Sequence, residues 1–162
     1  MMRVLFVLAR AVTYSVLFIG LFLVFLPGRI LSSTGIVQPV ALGAWQVAGI
    51  LVGASGAAIA VMCILTFVFA GRGTPAPFDP PRRLVADGPY RIVRNPMYVG
   101  AALALGGAAL FYQSTRLLGY AGLFLLVTHL FVVLYEEPTL RLTFEQDYEA
   151  YCRRVGRWWP KR

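Results

Sequence analysis

The chain has 162 residues, of which 59% are hydrophobic and 14% charged, with a formal net charge of +8. Soluble domains carry about 25% charged residues, so an ordinary water-soluble globule is excluded. The mean hydropathy of +0.71 agrees with a chain mostly embedded in lipid, and the length fits a single domain, 1–162.

Runs free of Asp, Glu, Lys and Arg mark the membrane segments: 11–28, 30–71, 95–115 and 117–135. A spanning helix takes about 20 apolar residues. The first predicted helix covers 4–26. It is too long for the apolar part of a secretory signal, and Pro27-Gly28-Arg29 offers no cleavage site of small residues. Ser32, Ser33, Thr34, Gly35 and Pro39 break the first part of the second run, so the second helix is placed at 42–70. It carries Gly49, Gly53 and Gly56, a spacing of small residues that lets membrane helices approach closely.

Residues 71–95 form a polar connection rich in Pro and Arg, with Pro75, Pro77, Pro80, Pro81 and Pro89. Repeated proline fixes φ and removes donors, which predicts a stiff, extended connector. Asp87-Gly88-Pro89 is a turn signal. Asn95-Pro96 reads as an N-cap followed by proline at the first helical position. The third helix, 96–113, is the shortest and could be tilted or partly re-entrant; Gly100, Ala104 and Ala108 recur in it at four-residue spacing, with Gly106 and Gly107 besides. The fourth covers 116–136 and ends on Glu136-Glu137. His129, near its middle, reads as a packed histidine satisfied by Ser55, Thr66 or a backbone carbonyl.

Beyond it, Leu140, Phe144, Tyr148, Tyr151 and Val155 recur at helical spacing. Glu137 and Arg141, and Glu149 and Arg153, fall at i,i+4. This predicts an amphipathic helix over 137–156 lying on the cytoplasmic membrane surface or capping the bundle, with Trp158 and Trp159 in an interfacial belt. The fold class is thus all-α integral membrane, with about four spans and a terminal surface helix.

Arginines concentrate in 71–95 and after the fourth helix, while the opposite connections carry only Arg29 and Arg116. The positive-inside rule then puts both termini, the 71–95 loop and the site in the cytoplasm. The arginines also suit anionic lipid headgroups; they do not form a nucleic-acid-binding face. Two separated cysteines, Cys63 and Cys152, predict no disulfide.

Several chemistries lack their parts. One histidine rules out a His-pair zinc motif, and no phosphate-binding P-loop occurs. No Gly-x-Ser-x-Gly elbow stands in the chain, so covalent nucleophilic catalysis has little support. What remains is a polar inventory at one membrane face: Tyr90, Arg91, Arg94, Asn95, Tyr98, Glu136, Glu137, Tyr148, Tyr151, Arg153 and Arg154. A buried or interfacial set of this kind is a site by default.

Four blocks carry a resemblance: Gly71-Arg72-Gly73-Thr74-Pro75; Gly88 through Tyr90, Arg91, Arg94, Asn95, Met97 and Tyr98 to Gly100; Glu136-Glu137 with Leu140; and Phe144 through Tyr148 and Tyr151 to Pro160. The chain resembles the isoprenylcysteine carboxyl methyltransferase family and its phospholipid methyltransferase relatives. The resemblance implies an integral membrane methyltransferase using S-adenosylmethionine. It places Gly71, Gly73, Tyr90, Arg91, Arg94, Asn95, Met97, Tyr98, Gly100, Glu136, Glu137, Tyr148 and Tyr151 at the cofactor, and leaves Arg153 or Arg154 to hold an acceptor carboxylate. Two departures stand out: Asn95 occupies a position where many members have His, and Glu145 one where Gly is frequent.

The expected activity is methyl transfer to a lipophilic acceptor entering from the membrane, carboxyl methylation of the isoprenylcysteine type first and N-methylation of a phospholipid amine second. The rival from another class is a non-enzymatic membrane protein that binds headgroups or a partner.

Overall fold

The computed structural model describes residues 2–35, 42–71 and 83–161, and these are overwhelmingly helical. Helices α1 (Met2–Phe18) and α2 (Leu26–Thr34) join through a π-helical stretch, Ile19–Phe25. Helix α3 (Ala44–Thr66) continues into a second π turn, Phe67–Gly71. A short 3-10 turn, Gly88–Arg91, precedes α4 (Pro96–Phe111). Helix α5 (Thr115–Phe131) passes through a third π turn, Val132–Glu136, directly into α6 (Glu137–Arg154). Three helical stretches are long and apolar enough to cross a membrane, Val12–Ser33, Ala44–Phe69 and Thr115–Arg154, and α4 is a shorter apolar helix.

The small-residue faces of α3 and α4 meet, forming the most extensive helix contact among the described residues. A Cβ at Gly56 would lie 2.4 Å from the Gly100 carbonyl oxygen, and one at Gly107 2.5 Å from the Gly53 nitrogen. In hydrocarbon there is no water to expel between helices, so close backbone packing of this kind supplies the association. Gln46 ties the same pair at its far end: its side-chain nitrogen donates to the Phe111 carbonyl at 3.2 Å, and its oxygen accepts from the Gly43 N–H. Ser114 caps α5 by accepting from the Leu117 N–H. That bond starts the return helix, with only Tyr112 and Gln113 between the end of α4 and the cap.

Several sequence expectations change. The first helix does not stop at 26; it runs through Pro27 to Thr34, because a proline near the start of a new helical segment follows a π turn that already lacks regular i→i−4 bonds. The fourth and terminal helices are continuous rather than separate. The amphipathic stretch is not one regular helix, since Glu145 breaks it with φ 41° and ψ −116°. This kink brings Arg141 and Glu149 together as an ion pair, replacing the expected Glu149–Arg153 partnership. Glu137 pairs with arginines outside its own helix instead of Arg141. His129 accepts from the Trp158 indole N–H at 3.0 Å, so its partner comes from the tail and Trp158 is drawn against the bundle. Tyr120 donates to the Phe22 carbonyl at 2.9 Å and ties the first helix to α5. The Asp87-Gly88-Pro89 turn is present, with Gly88 at φ +55°. The proline-rich part of the connector, with Gly73, lies outside the described residues.

Candidate active site

A cavity of about 310 Å³ lies where all three π turns converge. The first contributes Leu21 and Phe22, the second Phe67, and the third Glu136. Such irregular turns recur at functional sites because they shift side chains off the regular helical positions. The cavity sits between two packed clusters. Phe18, Phe22 and Tyr98 belong to one, and Tyr90, Phe67 and Met97 to the other. Its walls are mainly apolar, and its polar groups are Ser15, Tyr90, Arg94, Asn95, Tyr98 and Glu136 together with Tyr14.

Glu136 accepts a hydrogen bond from the Tyr98 hydroxyl at 3.1 Å. Its neighbour Glu137 turns the other way on the helix and is held by two arginines. Arg157 grips it bidentately, Nε to Oε1 at 2.7 Å and Nη2 to Oε2 at 2.9 Å, and Arg94 Nη2 stands 3.2 Å from Oε1. The side chains of Glu137 and Arg94 are 7% and 11% exposed. A carboxylate so buried is tolerable only because both oxygens face guanidinium donors. The bond to Glu137 in turn holds the Arg157 guanidinium above its ordinary pKa, outweighing burial. The two adjacent acids thus divide: Glu136 faces the cavity, and Glu137 anchors the wall behind it.

The segment after α6 closes this wall. The Arg94 N–H donates to the Gly156 carbonyl at 2.8 Å, and Val93 pairs with Gly156 in an isolated bridge. A Cβ at Gly156 would fall within 2.0 Å of the Trp159 carbonyl oxygen, so the turn needs glycine. Tyr151 donates to the Tyr90 carbonyl at 2.7 Å, while Tyr148 and Cys152 both contact Arg94. Burial, then the nearby Cys63, pushes the Tyr90 phenol well above its ordinary pKa. It therefore stays a neutral donor.

Of the residues singled out from the sequence, Tyr90, Arg94, Asn95, Met97, Tyr98 and Glu136 line the cavity. Glu137, Tyr148 and Tyr151 lie behind that wall. Arg91 does not join them; it is exposed and bonds Asp87 at 2.8 Å. Gly100 serves the α3–α4 contact, and Gly71 ends its helical turn. Arg153 and Arg154 are exposed and do not line the cavity. Asn95 makes no N-cap bond; its amide donates to the Arg157 carbonyl at 3.3 Å. The first N–H groups of α4 are therefore left without a side-chain cap beside the cavity. Sequence reasoning missed Ser15, Phe18 and Phe22 from the first helix and the role of Arg157. Only the polar Tyr14-Ser15 pair inside an apolar helix signalled the former.

The phospholipid methyltransferase family model matches residues 44–147, well over half of the chain. The chain belongs to the phospholipid methyltransferase family. No curated protein and no solved structure gives a significant match. Membership makes the protein a methyltransferase, and its apolar helices fit a family that works on membrane-held substrates. The matched segment contains Tyr90, Arg94, Asn95, Tyr98, Glu136 and Glu137. The first helix and the tail from Tyr148 onward lie outside it.

Proposed function

We propose that this phospholipid methyltransferase family member transfers the methyl group of S-adenosylmethionine to an amine on a lipophilic acceptor held in the membrane. The observation that carries the reading is Glu136. It is the acid on the wall of a largely apolar cavity, while Arg94, the cation among the described lining residues, is committed to Glu137. A hydrogen-bond-donating acceptor, such as a neutral amine, suits that wall. A carboxylate acceptor would meet like charge there, and the arginines expected to hold it, Arg153 and Arg154, stand outside. The amine reading therefore ranks above carboxyl methylation of the isoprenylcysteine type.

The residues present also fit the cofactor. The uncapped amino end of α4 suits its carboxylate, as helix N-termini do. Arg94 has a buried Nε without a partner, a donor that costs about 1–3 kcal/mol to leave unmade. Tyr90 and Tyr98 offer ring faces to a sulfonium or an adenine. When bound, the cofactor would supply an electrophilic methyl carbon for the acceptor nitrogen, with its thioether sulfur as the leaving group. The protein's share is alignment and exclusion of water. The apolar walls disfavour the ammonium form and so keep the acceptor nitrogen nucleophilic. Glu136 receives the proton that the methylated nitrogen sheds, and Tyr98 fixes the carboxylate that receives it. We place this face in the cytoplasm, on the arginine distribution alone.

Calorimetry of purified protein with S-adenosylmethionine, beside transfer assays of Glu136→Gln, tests the proposal. Saturable binding is expected in the wild type, and transfer at least about 100-fold slower in a folded Glu136→Gln variant, the usual range for a lost proton acceptor. Transfer should also weaken as pH falls through the pKa of the acceptor amine. Failure of the folded wild type to bind cofactor, in detergent and in lipid nanodiscs, would leave the headgroup-binding reading.

A further inference from the structure

Ser15 is 5% exposed, lines the cavity, and its hydroxyl has no hydrogen-bond partner. A serine in a membrane helix ordinarily bonds back to the preceding turn, as Thr13 does to the Ala9 carbonyl. Leaving it unpaired beside a cavity points to a polar group on a ligand. Phe18 and Phe22 stand three and seven positions further on the same helical face and line the same cavity. Together they give a wall about 10 Å long that is polar at one end and aromatic beyond. Leu17 and Leu21 also line it, yet they are 64% and 46% exposed. Apolar side chains that belong both to the cavity and to the outer surface make its mouth open sideways, toward lipid. All five residues lie outside the family-matched segment 44–147, whereas Arg94, Tyr98 and Glu136 lie inside it.

We propose that the first helix reads the acceptor: the Ser15 hydroxyl holds the head of an amine-bearing phospholipid opposite the Glu136 wall, and the Phe18–Phe22 face holds its acyl chain after lateral entry past Leu17 and Leu21. The common methyl-transfer apparatus and the acceptor-selecting wall are then separate parts of the sequence. This rests on the amine-methylation reading above.

The test uses the full chain in nanodiscs with a varied fraction of dioleoyl phosphatidylethanolamine and methyl-tritiated S-adenosylmethionine. Ser15→Ala, Ser15→Thr and Phe22→Ala are compared after their thermal midpoints show them folded. Ser15→Ala should raise the lipid fraction giving half-maximal transfer about fivefold, the weight of one neutral hydrogen bond. Its cofactor dissociation constant should stay within about twofold of wild type, since one kind of site is removed and the other kept. Ser15→Thr, which retains a hydroxyl, should restore the wild-type lipid dependence, and Phe22→Ala should weaken it further. An unchanged lipid dependence in Ser15→Ala overturns the proposal, as does equal loss of cofactor and lipid affinity. A wild type that binds cofactor but leaves this lipid unmethylated overturns the amine-phospholipid occupant while the cofactor reading stands. A wild type that binds no cofactor overturns both.

Discussion

Single residues divide sharply at Glu136-Glu137, which are adjacent in sequence but opposite in task. Glu137 is buried between Arg94 and Arg157, so Glu137→Ala leaves two guanidiniums unpaired. The loss should be about 3–5 kcal/mol, seen as a large drop in thermal midpoint in detergent. Arg91→Ala should cost no more than about 1 kcal/mol and leave cofactor affinity intact, because its pair with Asp87 is exposed. The two arginines look equivalent in the sequence, and only their surroundings separate them. Glu145 is the other informative residue. Its φ of 41° is a conformation that non-glycine residues resist, which gives a physical reason for glycine to be frequent at this position in the resembling family. Glu145→Gly should therefore stabilise the protein by about 1 kcal/mol, measurable as a raised thermal midpoint with unchanged cofactor affinity.

At the scale of elements, the α3–α4 contact is the joint on which the site is built, since α4 carries Met97 and Tyr98 at one end and Gly100 and Gly107 against α3 further along. Gly56→Ala should reduce the yield of monodisperse protein strongly, because the new methyl meets backbone atoms that cannot move aside. Gly106→Ala, where a Cβ meets nothing within 4 Å, should be silent in the same gel-filtration measurement. The small-residue spacing was legible in the sequence because such contacts depend on local periodicity. The π turns were not, because an extra residue per turn leaves no distinctive pattern of apolar positions. Nor was the break at Glu145, since the amphipathic period continues on both sides of it.

In the whole molecule, the tail works as a clasp on the helix that carries the acids. Arg157 reaches Glu137 and Trp158 reaches His129, about two turns apart on the continuous α5–α6 helix. Gly156 meanwhile pairs with the loop before α4. Removing residues 155–162 should abolish cofactor binding by calorimetry while the helical circular-dichroism signal largely remains, because the spans pack through α3 and α4. The sequence by itself determined the helical membrane class, the small-residue joint and the polar segments that form one side of the cavity. Those follow from composition and short-range periodicity, which burial in lipid imposes residue by residue. Tertiary structure decided which acid faces the cavity, that Asn95 bonds the tail instead of capping its helix, and that Ser15, Phe18 and Phe22 share a wall with Glu136. These depend on meetings between residues far apart in the chain, and no local pattern encodes which buried donor finds which acceptor.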